Sequence, residues 1–222
     1  MVIRIEYERE LTALREGVVA MSSMVDKAIA RSTDAVRQQD VELANSVRES
    51  DAKINAYRWQ LEGEALTIIA TQAPMASDLR WIAACLHIVT DLERMADHAA
   101  GNAKIVLEIA DEQLLKPLVD IPRMAELARA MLADSITAFI QQDAAAARAI
   151  VKRDDEVDNL YNQVYRELLT FMMSDPRTIS RATHLLWASH NIERIADRTT
   201  NICEQVVYAV EGRLDDIEVF DY

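Results

Sequence analysis

Two pairs of acidic residues place like charges on neighbouring turns of a helix. The stretch NIERIADRTTNICEQ contains Glu193 and Asp197, and DLERMADHAAGNAKIV contains Glu93 and Asp97 one hundred residues earlier. Like charges four residues apart destabilise a helix by roughly 0.2–0.5 kcal/mol. A repulsion that recurs at matched positions indicates that these carboxylates have a common purpose.

Each acid pair has a companion pair earlier in the chain. Asp51 precedes Asn55 by four residues, and Asp154 precedes Asp158 by the same spacing. Gathered carboxylates raise one another's pKa unless a positive charge keeps them ionised. Oxygen-only ligand sets suit hard or borderline cations. We therefore predict that each half of the chain binds one or more divalent or trivalent ions (iron, zinc, manganese or magnesium) through Asp51, Asn55, Glu93 and Asp97 in the first half and Asp154, Asp158, Glu193 and Asp197 in the second.

The elements that position these acids are predicted to be helices. The chain has 222 residues, of which 50% are hydrophobic, with only four Gly and four Pro. This composition is typical of an all-α protein. The prolines at 74, 117, 122 and 176 separate long helical patterns. We predict six long helices, beginning with residues 4–38, 40–71 and 77–111 and continuing with a fourth that starts at Asp120.

The second half of the sequence repeats the first. The tripeptide QQD occurs at 38–40 and again at 141–143, and Pro74 corresponds to Pro176. A repeat of about 100 residues is too long for a solenoid unit and suits a duplicated three-helix bundle. We predict two tandem bundles related by internal duplication, over residues 1–112 and 120–212, followed by an acidic tail at 213–222.

The register of the helices should bring the acid pairs together. The second and third helices are joined by a short turn at Pro74, so they should be antiparallel neighbours. Both acid pairs of the first half lie about 30 Å from that turn at 1.5 Å per residue. The same count from Pro176 holds in the second half. The companion pairs should therefore lie at one level and face each other.

Three nearby side chains are not expected to act as ligands. Arg94 and Arg194 should point away from the acids, because adjacent residues do not share a helix face. His190 precedes Glu193, which is the reverse of the order in ferritin-like di-iron helices. We interpret His190 as structural or incidental.

Charge and composition exclude several classes of function. A net charge of -13 repels nucleic acid and anionic lipid. The sequence contains no uninterrupted run of about 20 apolar residues, which a membrane-spanning helix requires. The N-terminal stretch does not resemble a secretory signal. We expect a cytoplasmic protein in which Cys85 and Cys203 are buried free thiols.

Three stretches resemble signatures of a known family. LERMADHAAGNAKIV, IERIADRTTNICEQVVYAVEG and TQAPMASDLRW are similar to segments of the PhoU phosphate-uptake regulators. The resemblance implies a non-enzymatic cytoplasmic homodimer that is recruited to the inner membrane by protein partners. The implied partners are the ATPase of the phosphate ABC transporter and a sensor histidine kinase. The implied role is to restrain phosphate uptake and the phosphate-starvation response.

The same resemblance implies metal clusters on paired acidic motifs. These motifs fall on Glu93 with Asp97, on Glu193 with Asp197 and on Asp154 with Asp158. Asn55 departs from the acidic pattern, so the first site is expected to bind a cation more weakly or to hold fewer ions. The role of Asn102, beside Gly101, is left open.

Two other functions are compatible with the sequence. One is a di-metal carboxylate enzyme in a helical bundle, which would need an open coordination position and a base or nucleophile. The other is a metal-free helical adaptor whose acids lie on a solvated face.

Overall fold

The computed structural model describes residues 2 to 213, and almost all of them are helical. These residues form α1 (Val2–Gln38), α2 (Val41–Gln72), α3 (Ala76–Ile109), α4 (Asp120–Gln141), α5 (Ala144–Val151), α6 (Asp154–Ser174) and α7 (Ile179–Glu211), with a 3-10 turn at Pro176–Thr178. The all-α prediction with six long helices is confirmed. The predicted acidic tail lies outside the described residues apart from Arg213.

The predicted fifth helix is divided into the short α5 and the longer α6. The division lies at Lys152 and Arg153, where the amide of Arg153 donates to the carbonyl of Ile150 at 2.9 Å. Three consecutive acids, at 154–156, then occupy the first turn of α6. Acids are favoured there because the N-terminal end of a helix carries partial positive charge. The break therefore makes Asp154 the first residue of α6.

The repeated QQD tripeptide ends one helix and begins the next in both halves. Gln39 and Gln142 have left-handed φ values of 53° and 56°. The carboxylates of Asp40 and Asp143 then each accept a hydrogen bond from the amide three residues later, at 2.9 Å. An aspartate in this position satisfies an amide that has no partner within the helix. The sequence repeat thus corresponds to a repeated helix junction.

Two bundles result. One consists of α1–α3, and the other consists of α4, α7 and the consecutive α5 and α6, which together take the place of one helix. One apolar face of α1 is buried at Leu14, Val18, Met21, Val25 and Ala28, which recur at helical spacing and form its seam. Along α6, Val157, Val164 and Leu168 are buried, and Tyr161 and Phe171 are partly buried. Burying a large aliphatic side chain contributes about 1.5–3 kcal/mol, so these seams are a main source of stability.

The bundles are joined along α3 and α7, which form the most extensive helix contact in the described chain. The two helices are antiparallel. Asn201 lies against Asp91 at 3.5 Å, Asn191 donates to Asn102 at 2.9 Å, and His184 Nε2 lies 3.3 Å from a carboxylate oxygen of Glu108. These three contacts follow one another along the helix pair and fix the register of α7 against α3.

The middle of this contact is the most closely packed. Asn102 is fully buried, and its side-chain oxygen accepts the hydrogen bond from Asn191 Nδ2. A Cβ atom at Gly101 would lie only 3.1 Å from the same nitrogen. Glycine therefore allows α7 to approach α3, and the role of Asn102 is to pair the two halves.

A second contact between the halves involves α1, α3 and α4. Arg129 makes a bidentate ion pair with Asp26, with distances of 2.7 and 3.0 Å. The ring of Trp81 stacks on Phe139 with centroids 5.1 Å apart, and the guanidinium of Arg15 lies 4.9 Å from the Trp81 ring centroid. The core therefore continues from one bundle into the other.

Two further expectations concern single features of the chain. Cys85 and Cys203 are free and buried, as predicted. Within residues 2–213, none of the helices combines the length and apolar character needed to cross a membrane.

The Asn102–Asn191 pair should contribute measurably to stability. We expect Asn191→Ala to lower the free energy of unfolding by about 1–3 kcal/mol, because the buried oxygen of Asn102 loses its donor. Urea denaturation followed by circular dichroism measures the change. Asn45→Ala, on the exposed face of α2, is the matched control and should stay within about 0.5 kcal/mol of wild type. Equal stabilities of the Asn191 and Asn45 variants would contradict the pairing role.

Candidate metal centre

The second-half acids come together between α6 and α7, and we call them the second cluster (Asp154, Asp158, Glu193 and Asp197). Asp154 begins α6 and Asp158 lies one turn later, while the other two acids lie near the middle of α7. Asp154 feels the negative charge of all three others. The predicted register between these two helices is confirmed, whereas the binding of a cation stays a prediction.

Burial and the repulsion of nearby carboxylates raise the pKa values of Asp154, Asp158 and Glu193. The pKa of Asp154 rises from 3.8 to about 7, first because of burial and then because of Asp158, Asp197 and Glu193. The pKa of Glu193 also rises to about 7, through burial and the charge of Asp197. The pKa of Asp158 is raised by burial and again by Asp197. A nearby cation would reverse these shifts, because it favours the ionised carboxylates.

Two carboxylate oxygens of the second cluster lack a hydrogen-bond partner. They are Oδ1 of Asp154 and Oε2 of Glu193. The side chain of Asp154 is only 5% exposed. A buried acceptor without a donor is unfavourable by about 1–3 kcal/mol, so such an atom needs an explanation.

Three other side chains border the second cluster. Nδ1 of His190 lies 3.2 Å from Oε2 of Glu193, and its ring faces Tyr161 with centroids 5.9 Å apart. Arg194 was predicted to point away from the acids, and this prediction is wrong. Its Nη1 lies 2.7 Å from Oδ2 of Asp197. The prediction considered only adjacent residues and overlooked that residues three apart share a helix face.

The first-half acids form a corresponding first cluster (Asp51, Asn55, Glu93 and Asp97) between α2 and α3. The pKa of Asp51 is raised by burial and by the charge of Asp97. The pKa of Glu93 is raised by burial and by Asp97, and the guanidinium of Arg58 acts in the opposite direction. Asn55 is partly buried on α2, one turn beyond Asp51.

Arg58 is a member of this region that sequence reasoning missed. Its Nε donates to Glu62 at 2.8 Å, and its Nη1 lies 3.8 Å from Glu93. Arg58 follows Asp51 by seven residues, which places both on one face of α2. The spacing of seven residues could have indicated from the sequence that Arg58 lies near this cluster.

The two clusters differ in how well they suit a cation. Among the described residues, no group of three or more His, Cys, Asp or Glu side chains stands in an arrangement ready to hold a metal ion. The acids are thus close enough to repel without converging on one point. In the second cluster all four side chains are carboxylates, and the buried Oδ1 of Asp154 has no hydrogen-bond partner, so its chemistry fits a cation. In the first cluster Arg58 already faces Glu93, so the fit is poorer.

Comparison with known proteins gives the same two-part layout. The family model described as "PhoU domain" matches residues 18–106 and again residues 121–206. The chain belongs to the PhoU family. The resemblance noted in the three sequence stretches is confirmed.

Relatives and solved structures cover nearly the whole chain. The "Phosphate-specific transport system accessory protein PhoU homolog" of Aquifex aeolicus is 41% identical over 93% of each chain. The protein of the same name from Clostridium acetobutylicum is 34% identical over 95% of this chain and 97% of its own. The crystal structure of PhoU from Pseudomonas aeruginosa has a TM-score of 0.88 at 34% identity, and covers 93% of this chain and 100% of that one.

The raised pKa of Asp154 predicts a pH dependence of stability in metal-free protein. Between pH about 4 and about 7 the folded state retains a proton on Asp154 that the unfolded chain has lost. Raising the pH through this range therefore favours unfolding. We expect wild type to lose on the order of 2 kcal/mol relative to Asp154→Asn across the range, measured by urea denaturation at each pH.

The exposed neighbour Asp155 supplies the control for this experiment. Asp155→Asn makes the same chemical change one residue away and should keep most of the wild-type slope. Parallel curves for wild type and Asp154→Asn would show that Asp154 titrates as it does in the unfolded chain.

Proposed function

We propose that the protein is a negative regulator of phosphate uptake and of the phosphate-starvation response. It acts as a metal-binding cytoplasmic adaptor, a homodimer in its working form, between the phosphate ABC transporter and a sensor histidine kinase. The observation that carries the proposal is the pair of PhoU domain matches, one in each half. The names of the relatives, which call them accessory proteins of a phosphate-specific transport system, support it.

The surface of the helical body suits an adaptor. Several large apolar side chains are exposed, among them Trp59 at 62%, Met75 at 81%, Met173 at 79% and Trp187 at 53%. Aromatic residues and methionine are enriched in protein interfaces relative to other surfaces. Their positions on both bundles offer the transporter ATPase and the kinase separate places to bind. Binding to these partners would recruit the protein to the inner membrane.

The acid clusters supply the proposed metal-dependent part. Asp154, Asp158, Glu193 and Asp197 would hold the cation of the second half. When bound, the cation supplies positive charge that neutralises these carboxylates and links α6 to α7. Asp154 would then be ionised at neutral pH, and its buried oxygen would have a partner. Because α7 also packs on α3, the state of the second cluster bears on the contact between the two bundles.

Deletion of the gene tests the regulatory role. In phosphate-rich medium we expect a deletion strain to express a phosphate-starvation reporter constitutively, because the adaptor that restrains the kinase is missing. A plasmid copy of the wild-type gene is the control and should restore repression. A reporter that stays repressed in the deletion strain would contradict the proposal.

Elemental analysis and calorimetry test the metal-binding part. Protein purified without chelator should contain metal, and metal-depleted protein should bind added Mn²⁺ or Zn²⁺. Asp154→Asn combined with Glu193→Gln should weaken binding at the second cluster at least about 100-fold, since even residues outside the ligand shell contribute 10–100-fold. Asp155→Asn is the matched acid-to-amide control and should bind as wild type does. Protein that is purified without metal and does not bind added Mn²⁺ or Zn²⁺ would refute the metal-binding part of the proposal. The adaptor role would then depend on the genetic test.

A further inference from the structure

We infer that Arg58 acts as a built-in cation at the first cluster, so that metal binding in this chain is confined to the second cluster. This inference rests on the proposed function, because it concerns which of the two clusters takes the ion. It adds a specific side chain and a specific asymmetry between the duplicated halves.

Arg58 is held in place from three sides. Its Nε donates to Glu62 at 2.8 Å, four residues further along α2. Its Nη1 reaches to within 3.8 Å of Glu93 on α3. Its guanidinium lies 4.7 Å from the ring centroid of Trp59. These contacts orient a positive charge toward the acid that would otherwise serve as a metal ligand.

The position of Arg58 is well shielded from solvent. The side chains of Arg58 and Glu93 are only 19% and 14% exposed. Water screens charges weakly at such positions, so the guanidinium acts on Glu93 more strongly than an exposed arginine would. A metal ion beside Glu93 would meet this fixed charge at short range and be repelled.

The duplicated half lacks this cation. The repeat offset that aligns Asp51 with Asp154 aligns Arg58 with Tyr161. Tyr161 has no positive charge and faces the ring of His190. Asn55 likewise aligns with Asp158, so the first cluster has one carboxylate fewer and one guanidinium more. Arg94 and Arg194 occupy matching positions in the two halves. Arg194 pairs with Asp197 at 2.7 Å, so the second cluster also has a guanidinium, but at this aspartate and not at its glutamate.

The second cluster shows the opposite state. Asp154 is only 5% exposed, and its Oδ1 has no hydrogen-bond partner. The carboxyl group that carries this oxygen is close enough to the other three acids of the cluster to be affected by their negative charge. Arg194 pairs with Asp197 at the more exposed edge of the cluster. The buried carboxylate is therefore the group that an added cation would satisfy.

Titration of metal-depleted full-length protein with Mn²⁺ tests the inference. As single substitutions in the wild-type sequence, Asp154→Asn should remove the calorimetric signal of Mn²⁺ binding, whereas the matched Asp51→Asn should leave that signal unchanged. Arg58→Gln, and more strongly Arg58→Tyr combined with Asn55→Asp, should strengthen Mn²⁺ binding between α2 and α3 by about tenfold or more, because a fixed unit charge is removed at short range. Anomalous diffraction from Mn²⁺-soaked crystals should show the ion between α6 and α7 in wild type and at both clusters in the double variant.

Three substitutions serve as controls, with circular dichroism to verify folding. Arg58→Lys keeps the charge and should behave as wild type. Lys53→Gln removes a positive charge from the exposed face of α2 and should have no effect. Conversely, Tyr161→Arg should weaken Mn²⁺ binding at the second cluster, and Tyr161→Phe should not.

The outcomes separate this inference from the proposed function. Mn²⁺ at both clusters of wild type with similar affinity, or an Arg58→Gln variant that binds as wild type does, would overturn the inference and leave the metal-binding proposal intact. The absence of Mn²⁺ and Zn²⁺ binding at either cluster would overturn the metal-binding proposal itself.

Discussion

The antiparallel contact between α3 and α7 is the constraint on which the rest of the molecule depends. Each of these helices is the last of its bundle and carries an acid pair near its middle. The buried pair of Asn102 and Asn191 fixes their register. Asp97 falls between Asp91 and Asn102 on α3, and Asp197 falls between Asn191 and Asn201 on α7, so both clusters lie at the same level of the molecule. A shift of α7 against α3 would leave the amide of Asn191 without its buried acceptor, which makes the register costly to change.

The second cluster is unfavourable for the folded chain by itself. Burial and repulsion raise the pKa of Asp154 and of Glu193 to about 7, so near neutral pH the folded state must either hold a proton or tolerate an uncompensated charge. The hydrophobic seams on both sides, with residues such as Val157, supply the stability that keeps these acids together. Sites that conflict with local stability are expected where function requires them. This conflict supports a role for the acids more strongly than their spacing alone does.

Much of the fold followed from local sequence signals. Asp40, Pro74 and Asp120 marked helix boundaries within one or two residues, because capping and proline geometry act over a few positions. The division between α5 and α6 was missed, since neither Gly nor Pro marks residues 152 and 153. The meeting of α3 with α7 was not predicted, because helical periodicity indicates which face is buried but not which helix covers it. The level of the acids was predictable from counting residues, whereas the contact of Arg194 with Asp197 depends on a side-chain conformation.

The duplicated halves allow the two clusters to be compared within one polypeptide. Backbone geometry, helix order and the position of the acids are shared, so differences between the clusters come from a few side chains. At the first cluster an arginine lies beside the α3 glutamate, and at the second a tyrosine and a histidine lie near the corresponding α7 glutamate. A fixed guanidinium and an exchangeable ion are alternative ways to balance the same carboxylates. Under the proposed metal binding, the guanidinium of the first cluster is a permanent part of the chain, whereas the second cluster would exchange its ion with the surroundings.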